Sequence, residues 1–474
     1  MAYKPVIGLE IHAELKTKTK MFCDSLNNPD EKHPNVNVCP ICMGHPGTPP
    51  VINGEAIKKV IAAGLALNCT IAKDTFFERK NYFYPDLPKG YQISQYLKPL
   101  CENGFLEIKG KKYRITRIHL EEDAGRLYHL PGKDYSLVDY NRAGVPLMEL
   151  VTEPDFETGQ EVRDFASELQ LIWQYLDVSE ANMEKGEMRV EVNISLTNPD
   201  GSWGTKVEVK NLNSIKFAAD AVDYEIKRQT EKLEAGEKIV QETRGWDENK
   251  KQTFSQRSKE EAHDYRYFPE PDLPPLHFED AQIAEIKAEL FELPAQRRDR
   301  FKKQYNLPDS DIEMFTVDKA LGNYFEHVAS EVGDPSLFKL AANYLITELR
   351  RMSADVGAEP EETKVTPEMF ADLIKRIASK EISSSGAQVV LKEMFETGSS
   401  PEKIIKEKDL GQVSDTGELE VAVVKIIEAN PRAVEDFKAG KEAPLKFLIG
   451  MVMRETKGKA NPQVVEKILK DKLK

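Results

Sequence analysis

Glu10-Ile-His12-Ala-Glu14 sets a carboxylate, an imidazole and a second carboxylate at alternate positions. On an extended strand, side chains two apart project to the same side, so these three share a face. Carboxylates with an imidazole suit a divalent cation, and oxygen-rich donor sets favour Mg²⁺. The solvated face of an edge strand would carry the same pattern. His119-Leu-Glu-Glu-Asp-Ala-Gly125 adds acids beside a glycine turn, and Glu149 follows Asn141-Arg-Ala-Gly-Val-Pro-Leu-Met148. Taken alone, each of these also reads as an acidic loop or a helix cap.

Three further groups carry chemistry-bearing side chains. Arg189, Glu191 and Asn193 alternate on one segment, and Lys206, Glu208 and Lys210 on another. They fit a phosphate clamp with metal ligands, because phosphoryl transfer needs positioning and cations more than covalent chemistry. Cross-strand ion pairs on a wet sheet would look alike. Arg79-Lys-Asn-Tyr-Phe-Tyr-Pro-Asp86 with Lys89-Gly-Tyr-Gln92 mixes base and aromatic, as in a site that stacks a nucleobase and holds a phosphate, or in an amphipathic rim. Cys23, Cys39 and Cys42 could gather zinc, but a closed site needs four ligands, so His33, His45 or Asp24 would have to complete it. Ala439-Gly-Lys-Glu442 lacks the upstream glycine and hydroxyl of a P-loop. Ser383-Ser-Ser-Gly386 reads as a turn or helix cap, and no Cys/His pair is spaced as in a glutaminase.

The elements that must position these residues are strands first. Ile7, Leu9, Ile11, Ala13 and Leu15 oppose Gly8, Glu10, His12 and Glu14. Met188, Val190, Val192, Ile194 and Leu196 oppose Glu187, Arg189, Glu191, Asn193 and Ser195, and Val207 and Val209 oppose the lysines and Glu208. Period two means a sheet with one buried and one polar face. Asn198-Pro-Asp-Gly-Ser-Trp-Gly204 predicts a hairpin between the last two strands. Helices are predicted after Thr158, with Val162, Phe165, Leu169, Ile172, Trp173 and Leu176 at helical spacing, and after Asn213-Ser214 up to Gly236. Phe268–Pro275 reads as an ordered loop or linker. From about residue 290 helical spacing dominates, with breaks at 354–365 and 410–417, so boundaries are expected near 292 and 408.

Bulk properties agree with several cytosolic domains. The 474 residues exceed one ordinary domain, and apolar stretches such as Val60–Leu67 fall well short of the ~18 residues of a membrane span. The start runs into a strand-like segment and not a secretion signal. A net charge of −14 argues against a generic nucleic-acid binder but leaves room for a local basic site. Five cysteines without a disulfide-framework spacing make Cys39-x-x-Cys42 a metal motif before a disulfide.

Beyond these local patterns, the chain resembles the GatB family, the B subunits of the glutamyl/aspartyl-tRNA amidotransferases. The resemblance rests on Val6-Ile-Gly-Leu-Glu-Ile-His12, Arg79-Lys-Asn-Tyr-Phe-Tyr-Pro-Asp86, Tyr91-Gln-Ile-Ser-Gln95, His119-Leu-Glu-Glu-Asp-Ala-Gly125 and Tyr135-Ser-Leu-Val-Asp139. It continues with Lys210-Asn-Leu-Asn-Ser214, Gln241-Glu-Thr-Arg244, Asp264-Tyr-Arg-Tyr-Phe-Pro-Glu-Pro-Asp272 and Thr456-Lys-Gly-Lys-Ala-Asn-Pro462. These strings span essentially the whole chain.

The resemblance implies an α+β protein in three parts. Residues 1–292 would form an antiparallel-sheet cradle similar to the glutamine synthetase/guanido kinase fold, holding ATP and Mg²⁺. Residues 293–407 and 408–474 would be all-α, the last binding tRNA. Implied partners are a serine amidase (the A subunit) that releases ammonia from glutamine, a small third chain (the C subunit), misacylated tRNA and the non-discriminating aminoacyl-tRNA synthetase that charges it. The implied reaction is phosphorylation by ATP of the side-chain carboxylate of Glu-tRNA(Gln) or Asp-tRNA(Asn), then displacement of phosphate by ammonia, in the cytoplasm. The competing readings are an amide ligase for a free acid and a non-catalytic tRNA scaffold.

Carried over by position from the resemblance, the metal ligands and catalytic residues fall on Glu10, His12, Glu122 and Glu149. Strict alternation sets Glu122 with Ile118 and Leu120 and favours Glu121, unless the chain bends before Ala124-Gly125. Lys80 and Tyr82, with Arg189, Glu191, Lys206, Glu208 and Lys210, are the expected nucleotide and phosphate side, and Lys457 and Lys459 the nucleic-acid contacts. Zinc-bearing members of the family that the chain resembles carry Phe-Cys-x-Cys where this chain reads Phe22-Cys-Asp-Ser25, so zinc at Cys23, Cys39 and Cys42 is expected to be weak or absent.

Overall fold

The computed structural model describes residues 3–258, 265–411, 416–438, 441, 443–456, 460 and 462–473. The chain divides into two compact units, residues 1–294 and 295–474. The architecture is α+β, with a mixed sheet and helices in the first unit and helices in the second.

The first unit is built on nine strands: β1 (Pro5–Glu14), β2 (Thr70–Ile71), β3 (Cys101–Ile108), β4 (Lys111–Glu122), β5 (Pro146–Thr152), β6 (Met188–Leu196), β7 (Val207–Leu212), β8 (Glu242–Asp247) and β9 (Gln252–Ser258). Their spatial order is β9-β8-β7-β6-β1-β5-β4-β3-β2, which puts β1 at the centre of the sheet. The period-two pattern explains this position. Ile7, Leu9, Ile11 and Ala13 are at most 1% exposed, while Glu10 and His12 face the other side.

The apolar face is covered by helices. Helix α1 (Gly54–Ala66) is capped by Asn53, whose side chain accepts from Glu55 N and Ala56 N. Helix α2 (Gly159–Tyr175) is capped by Thr158, and α3 (Ile215–Glu234) by Ser214, which satisfy otherwise orphaned amides. Phe165, Leu169, Ile172 and Trp173 from α2 join Ala218 and Val222 from α3 in one core with the inward residues of β1 and β6. The opposite face carries the polar residues Glu10, His12, Glu149 and His119.

The sheet corrects one expectation: it is mixed, not antiparallel. β6 and β7 form the predicted antiparallel pair, with a bridge between Thr197 and Trp203 inside the turn. After β7, however, the chain crosses over through α3, so β8 lies parallel to β7. The Phe268–Pro275 segment is not all loop, because Phe268–Pro269 pairs with Glu78–Asn81.

The second unit holds two hydrophobic clusters. Phe301, Phe315, Tyr324, Phe325 and Phe370 centre one, and Leu419, Val423, Leu448, Val452 and Leu469 centre the other. Ser383 caps the helix Ser384–Thr397 through Gly386 N. No described helix is long and apolar enough to cross a membrane.

Candidate active site

Register across the central strands builds the site. His12 on β1 lies opposite Arg189 on β6 and Glu149 on β5, and Glu149 lies opposite His119 on β4. One lateral row therefore reads Arg189, His12, Glu149, His119. Beside it, Glu10 lies opposite Glu191, and Asn193 opposite Glu208.

His12 Nε2 lies 3.4 Å from Glu149 Oε2, 3.6 Å from Glu121 Oε1 and 3.9 Å from Glu10 Oε1. His119 Nε2 lies 3.6 Å from the same Glu149 oxygen and 4.0 Å from Glu121 Oε2. Ligand atoms of Glu10, His12 and Glu149 fall within 4.8 Å of one another, as do those of His119, Glu121 and Glu149, and of Glu10, Glu191 and Glu208. His119, Glu121 and Glu149 are buried.

Carboxylates this deep are costly unless compensated. Burial pushes Glu149 up, but His119, His12 and Lys80 outweigh it and hold the group well below the usual carboxylate range. Burial and the Glu149 charge push Glu121 up to about 7, and burial, Glu149 and Glu191 raise Glu10. Burial disfavours charge on His12, yet its hydrogen bond to Glu149 and the nearby carboxylates lift it to about 9. His119 is lowered to about 4, by burial and the cations Arg117 and Lys80.

The expected metal ligands divide. The structure brings together Glu10, His12 and Glu149. Glu122 lies elsewhere: it pairs with Lys89, and its Oε1 accepts Ile93 N at 2.9 Å. Strand parity sends Glu121 to the polar face, where it lies with His119 beside His12 and Glu149. Both were signalled by alternation in His119-Leu-Glu-Glu122. The donor set suits a hard divalent cation, and the Nδ1 atoms of both histidines are buried without a hydrogen-bond partner.

On the basic side, Lys80 sits over the Tyr265 ring, 5.1 Å from its centroid. Burial disfavours its charge, but Glu121, Tyr267 and Glu149 raise its pKa. Burial raises the Tyr82 phenol, which packs edge-on to Tyr265. Lys210 Nζ is 2.6 Å from Glu191 and 3.5 Å from Glu208, whereas Arg189 pairs with Asp123. Lys206 is exposed just ahead of β7. Arg117, 3.4 Å from Glu149, is a site residue that the sequence patterns above did not single out, although its parity with His119 was the available signal. Lys457 and Lys459 lie outside the described residues.

The cysteines form a second cluster. Sγ atoms of Cys23, Cys39 and Cys42 all lie within 4.8 Å of one another, and no His, Asp or Glu joins them among the described residues. His33 pairs with Glu31 at 2.9 Å, and His45 is exposed. The fourth side holds Ser25 Oγ and Lys20 Nζ, each 3.9 Å from Cys42 Sγ. Three sulfurs beside a buried ammonium do not fit a closed four-ligand zinc site. A hydrogen bond from Cys23, with the Cys39 amide and Lys20, takes the Cys42 thiol down to about 4 against the effect of burial, while Cys23 is raised.

Comparison with known proteins follows the same two units. Residues 5–284 match the family described as the GatB/GatE catalytic domain, and residues 323–473 the GatB domain family. The chain is 50% identical to the aspartyl/glutamyl-tRNA(Asn/Gln) amidotransferase B subunit of Caldanaerobacter subterraneus subsp. tengcongensis, over 100% of both chains. It is 50% identical to that of Caldicellulosiruptor bescii, over 100% of this chain and 99% of the other. With the Thermotoga neapolitana protein of the same name it is 48% identical, over 99% and 98%.

Proposed function

The chain belongs to the family of aspartyl/glutamyl-tRNA(Asn/Gln) amidotransferase B subunits, and from that premise we propose that its polar sheet face is the ATP-dependent amidation site of a glutamine-hydrolysing ligase complex. The observation that carries this reading is the row His12, Glu149, His119, flanked by Glu10 and Glu121 on the buried centre of the sheet.

A carboxylate does not react with ammonia at a useful rate, so the side-chain acid of Glu-tRNA(Gln) or Asp-tRNA(Asn) is first phosphorylated by ATP, and ammonia then displaces phosphate. Glu10, His12, Glu121 and Glu149 would hold a magnesium ion, which supplies charge neutralisation to the transferring phosphoryl group. Lys80 and Arg117 border the same acids and face the developing negative charge. Lys210, held between Glu191 and Glu208, and Arg189 border the nucleotide side, and Tyr82 with Tyr265 forms the adjoining aromatic wall.

In this reading residues 1–292 form a cradle like that of glutamine synthetase, residues 293–407 a helical domain, and residues 408–474 a tRNA-binding tail. Ammonia comes from the amidase partner, and a small third chain completes a cytoplasmic heterotrimer. The test is reconstitution with both partner chains, following amide formation on each misacylated tRNA. Glu149→Gln should abolish ATP-dependent amide formation while basal glutaminase activity survives. Amide formation by that variant at the wild-type rate would overturn the assignment.

A further inference from the structure

Lys20 has no exposed surface. A buried ammonium needs an anion beside it. Its Nζ donates to Tyr140 O at 3.2 Å and to Cys42 Sγ at 3.9 Å. That sulfur also accepts the Cys39 backbone N–H at 3.1 Å and lies 3.9 Å from Ser25 Oγ. Two donors, Lys20 Nζ and the Cys39 N–H, therefore converge on Cys42 Sγ, which also lies 3.4 Å from Cys39 O, and the buried Cys23, its sulfur within 4.8 Å, is the neighbouring thiol. All five cysteines are free thiols.

We propose that this cluster is a peroxide-reactive dithiol site in which Cys42 is the attacking sulfur and Cys23 the resolving one. The Cys42 thiolate attacks one oxygen of hydrogen peroxide. An S–O bond forms, the O–O bond breaks, and the departing hydroxide takes up a proton as water. The Cys23 sulfur then attacks Cys42 Sγ. The S–S bond forms, the S–O bond breaks, and hydroxide leaves with the Cys23 proton as a second water. Two thiols are oxidised by two electrons in all, and one peroxide is reduced. Cys39, beside them, is half-buried.

Oxidation has a structural consequence. Cys42 sits in a turn closed by Met43 N to Cys39 O and Gly44 N to Ile41 O. Gly44, at φ +68°, packs so tightly on Lys89 that a Cβ there would lie 2.6 Å from Lys89 Cγ. Lys89 pairs with Glu122. Drawing Cys42 to within about 2.05 Å of Cys23 would shift this turn, which bears directly on Lys89.

The test uses the full-length chain purified reduced, without added metal. Hydrogen peroxide should remove about two free thiols per chain, recovered by dithiothreitol, with Cys23 and Cys42 joined in non-reducing peptide mapping. Cys42→Ser should abolish the reaction, and Lys20→Met should slow it by about tenfold or more. If Lys20→Met does not fold, Ser25→Cys asks the same question. A fourth thiol should recruit one zinc per chain and suppress peroxide reactivity. One zinc per wild-type chain, thiol loss unchanged in Cys42→Ser, or a zinc-loaded Ser25→Cys chain that still oxidises at the wild-type rate would overturn the proposal.

Discussion

The polar sheet face and the cysteine cluster both bury groups that carry negative charge, but they balance it differently. At the cysteines the chain supplies its own basic group: Lys20 lies against Cys42, one of three clustered sulfurs. On the sheet face Glu10, Glu121 and Glu149 surround His12; Lys80 and Arg117 offset part of their charge, and burial among like charges raises Glu10 and Glu121 toward the protonated form. A cluster that carries its own cation has little use for a metal. A cluster whose acids share protons at neutral pH is poised to exchange them for one.

The largest expected effect is the loss of that exchange. Glu149→Gln removes the carboxylate oxygen that faces both histidines at once, so Mn²⁺ binding measured by titration calorimetry should weaken by about 100-fold or more. The thiol chemistry of Cys42 should stay at the wild-type rate, because the two clusters share no residue. Weakened cation binding together with altered thiol reactivity would break the contrast.

Adjacent residues sharpen it next. Glu121→Gln should weaken Mn²⁺ binding and leave thermal stability close to wild type. Glu122→Gln should do the reverse, because it strips the counter-ion from Lys89, a buried pair whose side chains are 10% and 5% exposed. Breaking such a pair costs about 3–5 kcal/mol, read as a lowered melting temperature with the Mn²⁺ isotherm unchanged. Cation binding lost in Glu122→Gln and kept in Glu121→Gln would return the ligand role to Glu122.

A smaller effect concerns pH. His12, raised to about 9, and Glu121, raised to about 7, must each release a proton to ligate. Affinity for Mn²⁺ should therefore rise by about tenfold per pH unit between about pH 7 and 9, more steeply below 7, and level off above 9. The sign follows from competition: a raised pKa keeps the proton bound, and raising pH frees the donor. A flat affinity over this window would show that His12 is not a ligand.

Much of this was legible in the sequence, for local reasons. Alternation around Ile11 gave β1 its two faces, and Thr158 and Ser214 marked the starts of α2 and α3 because capping is decided within a few residues. Parity alone separated Glu121 from Glu122: it puts Glu121 with the clustered acids, whereas the resemblance carried over by position pointed to Glu122, which pairs with Lys89. The rest needed long-range information. The parallel pairing of β7 with β8 depends on where a 20-residue helix returns the chain. The Arg189–Asp123 and Lys89–Glu122 pairs depend on register between distant strands. Lys20 gave no signal, for it ends the polar run Lys16-Thr-Lys-Thr-Lys20, which reads as surface, yet it is fully buried.

The smallest expected effect on either cluster comes from the tail, which is also its value as a control. From Lys438 to Lys474 ten basic residues face four acidic ones, in a chain whose net charge is −14. The helices Ala443–Glu455 and Pro462–Leu473 bury Leu445, Leu448, Val452, Val465 and Leu469, and their Lys446, Lys467, Lys470 and Lys472 are exposed. Phosphate contacts made by such lysines release counterions, so their loss shows as a shallower dependence of binding on salt. Changing Lys457 and Lys459 together to alanine should weaken tRNA binding by the reconstituted complex at low salt and reduce the slope of log affinity against log salt by about 2. The same variant should keep the wild-type Mn²⁺ isotherm and the wild-type thiol oxidation rate. An unchanged slope would place the tRNA phosphates on other residues. A changed Mn²⁺ isotherm would mean that the tail and the sheet face are coupled, and the contrast between a self-balanced cluster and a cation-seeking one would then need a third partner.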